Sequence, residues 1–435
     1  MHCCTVVHPS ADCWHMRLPA PVPLRVAHTA WITLAILSGL NLLNYLDRYV
    51  MSAVLTLMQK ELRLDDGDAG WAASAFMFGY FLTAPIFGYL GDRFPRKYLM
   101  LSGVMVWSLA TACSGLTQNF GQLFAIRIFV GVGEACFVTM GPSWISDLFA
   151  ATKRNTALTL FYVAIPFGSA IGFTIGGWFA QHGDWRHAFI YAGLPGVVFA
   201  LALLLLREPQ RGEADGMTGE VVKHPPAKLG EVFGLLLNRR YNFLIWGYTA
   251  QTFALGAFGI WGPTFLYRVH GLNLGQASTI FGEMLAGTGL VATLLGGFLA
   301  SSLRKHTPAG YTWVMALSML FALPICFFAL TVGNATLSLI GLGASMFFLF
   351  LPTGPICSEM FEIVPVHLRA SSMAVCTFII HLFGDLGSPA AVGHVSDLTG
   401  SLQKGVLILP AVLFVGVVLW SLLVYFTRKP IKLEA

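Results

Sequence analysis

Windows of about 20 apolar residues recur along the chain from Trp31 to Phe426, each long enough to cross a hydrocarbon core of about 30 Å as a helix. That recurrence leaves little freedom of fold. Charged residues make up 11% of the chain and hydrophobic ones 56%, where a water-soluble domain carries about 25% charge, so no soluble core could hide the apolar surface. The expectation is an all-α membrane protein with twelve spans near 31–58, 70–91, 98–117, 120–149, 155–181, 187–206, 241–268, 276–302, 309–331, 335–363, 370–396 and 405–427. Gly and Pro are frequent inside these windows, which lipid-buried helices tolerate because neighbouring helices satisfy the backbone groups such residues release.

The placement of cations gives an orientation. With the even-numbered connections and both tails on one side, that side holds nineteen Lys and Arg residues. The other side holds five (Lys60, Arg63, Arg186, Arg268 and Lys404), and Arg48 and Arg127 stay inside the membrane. The positive-inside bias predicts that both termini are cytoplasmic. The net charge of +5 is then a topology signal, and no basic-aromatic patch points to nucleic acid. Cys113, Cys136, Cys326, Cys357 and Cys376 stand singly in apolar spans, as small buried hydrophobes do. Cys3, Cys4 and Cys13 share the N-terminal tail with His2, His8 and His15 but lack regular ligand spacing, so no metal is expected. The tail also lacks the apolar stretch of a cleaved signal peptide, which leaves the first span as the insertion signal.

One long polar stretch, 207–240, is rich in charge, Gly and Pro and divides the spans six and six. The expected organisation is a cytoplasmic tail at 1–30, a six-helix bundle at 31–206, a cytoplasmic linker at 207–240, a second bundle at 241–427 and a tail at 428–435. The run from Gly88 to Lys97, Gly-Tyr-Leu-Gly-Asp-Arg-Phe-Pro-Arg-Lys, is echoed after span 8 by the run from Gly297 to Lys305, with Ser301 in place of the acid and one residue missing. Two related bundles with a site between them near the midplane suit a facilitator-type transporter.

Asp47, Arg48, Arg127 and Glu134 are the most informative residues, because an ionised group deep in a spanning helix costs at least about 2.5–3.5 kcal/mol. Arg127 and Glu134 share a face of span 4 but lie about 10 Å apart along its axis at 1.5 Å per residue. Partners on span 1 are therefore expected, in a pairing that the sequence leaves open. With both acids ionised the quartet is neutral, and protonating Glu134 would leave it net positive, which suits an anionic headgroup. A static ion pair between two helices is the plainer alternative. His381 and Asp385, four residues apart in span 11, could relay protons or make a structural contact. Gly168, Gly172 and Gly176 in span 5 expose a bare face for close helix packing. Phe258, Trp261 and Phe265 in span 7 could form an apolar cavity wall, although aromatic stripes more often serve packing.

The Gly88 to Lys97 run resembles the loop signature of the major facilitator superfamily. Its residues Gly88, Asp92, Arg93, Arg96 and Lys97 would then form a cytoplasmic gate, with Asp92 latching the two bundles. The sequence is also similar to the spinster branch of that superfamily in three stretches: Asn44 to Tyr49 (NYLDRY), Arg127 to Ala135 (RIFVGVGEA) and His381 to Pro389 (HLFGDLGSP). Phe161 to Ser169 and Arg207-Glu208-Pro209 extend the likeness.

The resemblance implies the major facilitator fold and proton-coupled movement of a lysophospholipid or sphingolipid, in a monomer lying in a cell membrane such as a bacterial inner membrane. Glu134 would carry the proton, Arg48 and Arg127 the headgroup, and Asp47 would hold an arginine. No cofactor is called for, and no Gly-x-x-x-x-Gly-Lys segment cradles a nucleotide. The alternatives that stay open are a transporter of small organic anions or drugs on the same fold and, from another class, a receptor or lipid-modifying enzyme.

Overall fold

The computed structural model describes residues 24–211, 213–215, 229–365 and 368–428. The Cys- and His-bearing part of the N-terminal tail and most of the polar linker lie outside these residues, as does the side chain of Asp92. The described chain is helical throughout. Spans 1 to 6 are Leu24–Leu62, Asp66–Arg93, Arg96–Ser114, Phe120–Leu148, Ala151–Gln181 and Trp185–Leu203. Spans 7 to 9 are Arg239–His270, Leu274–Arg304 and Gly310–Thr331; span 10 joins Ala335–Phe350 to Thr353–Ile363; span 11 joins Arg369–Ile380, His381–Asp385 and Ser388–Thr399; span 12 joins Leu402–Val406 to Ile408–Arg428. A short helix, Leu229–Leu235, occupies the end of the expected linker and buries Leu235.

Eleven of these elements are long and apolar enough to cross a membrane. The remaining one, Arg96–Ser114, has 19 residues and opens on two cations. At 1.5 Å per residue it still reaches about 28 Å. It packs against spans 4 and 6 like the other members of its bundle.

The face that carries the 93–97 loop is called the basic face below. Helices starting from the opposite face are opened by short polar side chains. Asp65, Asn119, Asp184, Asn273 and Asn334 each accept a hydrogen bond from an amide in the first turn of spans 2, 4, 6, 8 and 10. Each such cap is worth about 1 kcal/mol. Spans 7 and 11 end there at Gly271 and Gly400, both left-handed, the backbone conformation in which glycine carries no Cβ penalty.

Within the first bundle, span 5 lies on span 1 where Gly168, Gly172 and Gly176 remove side chains. A methyl group at Gly172 would stand 2.5 Å from the carbonyl oxygen of Leu46. Between the bundles, span 5 meets span 8, span 2 meets span 11, and span 1 meets span 7. These meetings sit toward the opposite face: Phe173 packs edge-on to Phe281 at 5.5 Å, a Cβ on Gly177 would lie 2.9 Å from the Gly275 carbonyl, and Gly70 faces the Pro389 backbone.

Two departures from regular helix matter for the site. Span 10 breaks at Leu351 and Pro352. Span 11 carries a π-turn at His381–Asp385, where the Leu386 amide donates to the His381 carbonyl at 3.0 Å. Such turns insert one extra residue and redirect the side chains that follow.

Candidate functional site

A single layer of the molecule collects its deep charges. Arg48 lies 14 residues before the end of span 1, and Glu134 lies 14 residues after the start of span 4. Tyr80, Gly256 and Asp385 lie at the same count from the opposite-face ends of spans 2, 7 and 11. At 1.5 Å per residue that is about 21 Å of helix.

In this layer Arg48 Nη2 donates to Glu134 Oε2 at 2.9 Å, the direct link from span 1 to span 4. The Arg48 side chain keeps 24% of its surface exposed while Glu134 keeps none. Arg48 also stands over the rings of Tyr45 (4.8 Å) and Phe76 (4.6 Å). These π faces hold the guanidinium in place without neutralising it.

The other two members of the expected quartet do not form a matching pair. Asp47 Oδ2 accepts from Thr111 Oγ1 on span 3 at 3.3 Å, and its Oδ1 is buried with no hydrogen-bond partner among the described residues. Arg127 is 2% exposed, lies 5.6 Å from the Phe76 ring and leaves Nε and Nη1 unpartnered among the described residues. The separation along span 4 explains why: Arg127 sits two turns nearer the opposite face than Glu134, beyond the layer in which Arg48 reaches it. In this conformation the reachable cation is Arg48, and Arg127 lies behind it. The Asn44 amide and Glu134 Oε1 add to the buried polar atoms that have no hydrogen-bond partner among the described residues.

Across the interface, His381 Nδ1 donates to Asp385 Oδ2 at 2.8 Å, with 28% and 24% of the side chains exposed. The pair sits on the π-turn and approaches the first bundle, where the His381 ring lies 6.4 Å from that of Tyr80. Phe258, Trp261 and Phe265, read as a cavity wall from sequence, are almost wholly buried here. Trp261 Nε1 donates to the Pro389 carbonyl at 3.0 Å, and Phe265 packs edge-on against His270. They stand in the half of span 7 nearer the opposite face, where the bundles are pressed together, and so act as packing in this state.

A charged lock on the opposite face escaped sequence reasoning. Arg268 Nη1 on span 7 donates to both carboxylate oxygens of Asp66 on span 2, at 2.8 and 2.9 Å, and its Nη2 donates to Gln59 Oε1 at 2.6 Å. Ser396 and Gln59 also donate to Asp66, at 2.6 and 2.7 Å. Asp397, from the other bundle, accepts from the amides of Asp66 and Gly67 at 3.0 and 2.7 Å, capping the N-terminus of span 2. The available signal was Arg268 itself, a rare cation on the cation-poor side, read with the acidic run Asp65, Asp66 and Asp68.

The basic face is arranged differently. Arg96 pairs with Asp147 at 2.7 Å and approaches Glu208 at 3.5 Å, and Glu208 caps the Arg96 and Lys97 amides. Lys97 Nζ donates to the carbonyls of Leu204 and Leu206 at 2.6 and 2.7 Å, and Arg93 lies 3.5 Å over the Tyr89 ring. Gly88 faces Thr139 of span 4, 3.8 Å from where its Cβ would stand. In the second bundle Arg304 pairs with Glu362 through two bonds of 3.0 Å, and Arg240 with Glu359 at 2.9 Å. Each of these ion pairs stays inside one bundle.

Residues 37–388 match the Major Facilitator Superfamily. The chain is 34% identical over 387 residues to Protein spinster homolog 3 of Danio rerio, covering 85% of this chain and 77% of that protein. It is also 34% identical over 399 residues to a sphingosine-1-phosphate transporter of Danio rerio, covering 86% and 77%. Among solved structures it superposes on a bacterial homologue of the human lysosomal transporter spinster in an inward-facing, unoccupied conformation. The TM-score there is 0.82 at 21% identity, over 93% of this chain and 99% of that one. The chain therefore belongs to the major facilitator superfamily and, within it, to the spinster family of multi-pass membrane transporters.

Proposed function

We propose that this transporter moves a lysophospholipid, sphingolipid or similar anionic amphiphile by alternating access, with proton movement coupled to cargo through the Arg48–Glu134 pair. The observation that carries this reading is the asymmetry of that pair: a partly exposed arginine is held by a fully buried carboxylate. An ionised Glu134 occupies the guanidinium. A protonated Glu134 releases it to a phosphate or carboxylate, two of whose oxygens suit a bidentate contact with the planar guanidinium. Proton and anion then load together, because each favours the same state of the pair. Asp47 and Arg127, behind the pair, set the local field. The relative described as a sphingosine-1-phosphate transporter supports a lipid cargo.

Alternation follows from the two faces. Charged contacts tie the bundles together on the opposite face through Asp66, Arg268 and Asp397, whereas on the basic face Arg96 and Lys97 are held inside their own bundle, which supports opening on that side. With the basic face toward the cytoplasm, as the cation bias predicts, this is an inward-open form acting as a monomer. Closure there would bring Asp92 and the 93–97 cations against the second bundle.

The test is purified protein in liposomes under an imposed pH gradient, following a labelled lysophospholipid with wild type and Glu134→Gln. Wild type should move the lipid faster with the gradient, and Glu134→Gln should lose that dependence. Gradient dependence that survives in Glu134→Gln removes the proton role of Glu134. Flux of small organic anions without lipid flux removes the lipid cargo and leaves the transporter fold.

A further inference from the structure

The second bundle holds a counterpart of the Arg48–Glu134 pair. Arg240 of span 7 donates through Nη2 to Glu359 Oε1 of span 10 at 2.9 Å, with 21% of the arginine side chain exposed and none of the glutamate. Spans 7 and 10 hold the places in the second bundle that spans 1 and 4 hold in the first. The unmet atoms match as well: Arg48 Nε and Glu134 Oε1 are buried without a hydrogen-bond partner among the described residues, and so are Arg240 Nε and Glu359 Oε2. What differs is depth. Arg48 lies 14 residues before the opposite-face end of span 1 and Arg240 lies 30 residues before that of span 7, which puts the second pair about 24 Å nearer the basic face at 1.5 Å per residue.

Its geometry is not that of a clamp. One turn away, Glu362 takes Arg304 in a two-bonded fork, the form that holds two helices best. Glu359 is wholly buried, yet it receives one bond from Arg240 and a long one of 3.4 Å from Thr427 Oγ1 of span 12, both on Oε1. An ionised carboxylate has about four acceptor sites, and so few bonds offset little of the cost of burying it. The other charges within reach, Glu362 and Arg304, neutralise one another. Of the remaining titratable groups, Tyr241 donates its hydroxyl to the Ser372 carbonyl, Tyr311 stands against Arg304, and Cys357 and Cys376 lie within reach of each other on spans 10 and 11. A proton on Glu359 is the remaining way to relieve the buried charge, and it frees the guanidinium.

The surroundings suit an anion. Arg240 stands at the basic-face start of span 7, after the exposed Arg239. Arg428 follows Thr427 at the end of span 12 and lies 4.4 Å over the Trp313 ring. The Phe243–Phe426 stack, at 5.5 Å, holds the ends of spans 7 and 12 together. Neither Arg239 nor Arg428 has a carboxylate partner among the described residues. Clustered cations of this kind raise the local concentration of anions.

We infer that Arg240 and Glu359 form a second anion site, at the basic-face end of the second bundle, in which Arg240 takes a phosphate or carboxylate group as Glu359 takes a proton. The Arg240–Glu359 bond breaks, the guanidinium turns to two oxygens of the anion, and the proton settles on Glu359. The site is neutral before and after, so no charge is left buried without its counterpart. It is separate from the Arg48–Glu134 pair and does not depend on the lipid reading.

The test uses full-length Glu134→Gln protein in an uncharged detergent, which takes the central acid out of the titration. The probes are lysophosphatidylglycerol and its water-soluble headgroup glycerophosphoglycerol, phosphodiesters whose single negative charge does not titrate near neutral pH. A pH-indicator dye in weak buffer reads proton exchange on adding either probe across a pH series. Uptake should rise to about one proton per protein at its maximum, vanish in Glu359→Gln and return in Glu359→Asp, a rescue that a folding defect at this position would not allow. Uptake with both probes supports a site for phosphate groups at large, and uptake with the lysolipid alone supports a site for a lipid headgroup. Absence of uptake at every pH, or uptake that survives in Glu359→Gln, overturns the proposal and leaves the pair a structural contact. Glu134 titrates in none of these proteins, so either result leaves the reading of the central pair standing.

Discussion

The two faces of the molecule use charged contacts differently. On the opposite face some of them join the bundles, Arg268 to Asp66 and Asp397 to the amides that open span 2, beside the Arg186–Glu61 pair that stays within the first bundle. On the basic face they join helices of one bundle: Arg96 to Asp147 in the first, Arg304 to Glu362 in the second. These last two pairs occupy corresponding places in the two halves, since Arg96-Lys97 and Arg304-Lys305 are the matched ends of the internal repeat and both acids close the spans two places on. A contact inside a bundle survives rocking. A contact between bundles must break, so the Asp66, Arg268 and Asp397 contacts on the opposite face set the balance of states while the pairs within a bundle stiffen the moving bodies.

The sharpest way to break this comparison is Arg268→Ala. It removes three hydrogen bonds from a partly buried cluster and leaves Asp66, 8% exposed, short of its cation. Charge-assisted bonds are worth about 1.5–3 kcal/mol, and a net loss of about 2 kcal/mol moves the ratio of states about 30-fold toward opening on that face. Spin labels at Leu116 and Leu398, exposed near the opposite-face ends of the first and second bundles, in a background with Cys113→Ser, would report a longer distance population. An unchanged distribution would mean that the Asp397 and Ser396 contacts to span 2 and the apolar packing of Phe173, Phe281 and Trp261 hold the face closed without Arg268. Asp397→Asn should act in the same direction but less. It keeps an acceptor for the span 2 amides and loses the charge that favours a helix N-terminus, an effect of about 1 kcal/mol or about fivefold on the same distance ratio.

How much of this was legible in the sequence differs by kind of residue. Span count and order followed from hydropathy, because a bilayer admits few alternatives to long apolar helices. Span 3 was legible as a window even though its two leading cations weaken it. A partner on span 1 for the span 4 charges was legible because a buried charge demands one, but the sequence left open which residues would pair. Asp47 and Arg127 were misleading for the same reason: the demand for partners is visible in one dimension, but their separation across the bundle is not. The tyrosines at 45 and 80 gave no signal, since an amphipathic ring is at home in lipid, core or cavity alike. The aromatic stripe of span 7 was visible and its role depends on state, which a sequence serving two conformations does not encode. The π-turn at His381–Asp385 depends on packing against spans 2 and 7 and has no local signature.

The smallest effect belongs to the basic face. Arg304 and Glu362 make a two-bonded pair, yet each side chain is about a third exposed and both belong to the second bundle. Solvent-exposed pairs contribute about 0–1 kcal/mol, and this one is common to both conformations. Arg304→Ala should therefore lower the melting temperature slightly and leave the Leu116 to Leu398 distance distribution as in wild type. Raising ionic strength should shrink even that small loss, because screening weakens exposed pairs first. A tenfold change in the ratio of states on Arg304→Ala would mean that Glu362 is exchanged between partners during rocking. The division of labour between the faces would then fail at its basic side, and the stiffening role assigned to Arg96 and Asp147 would fail with it.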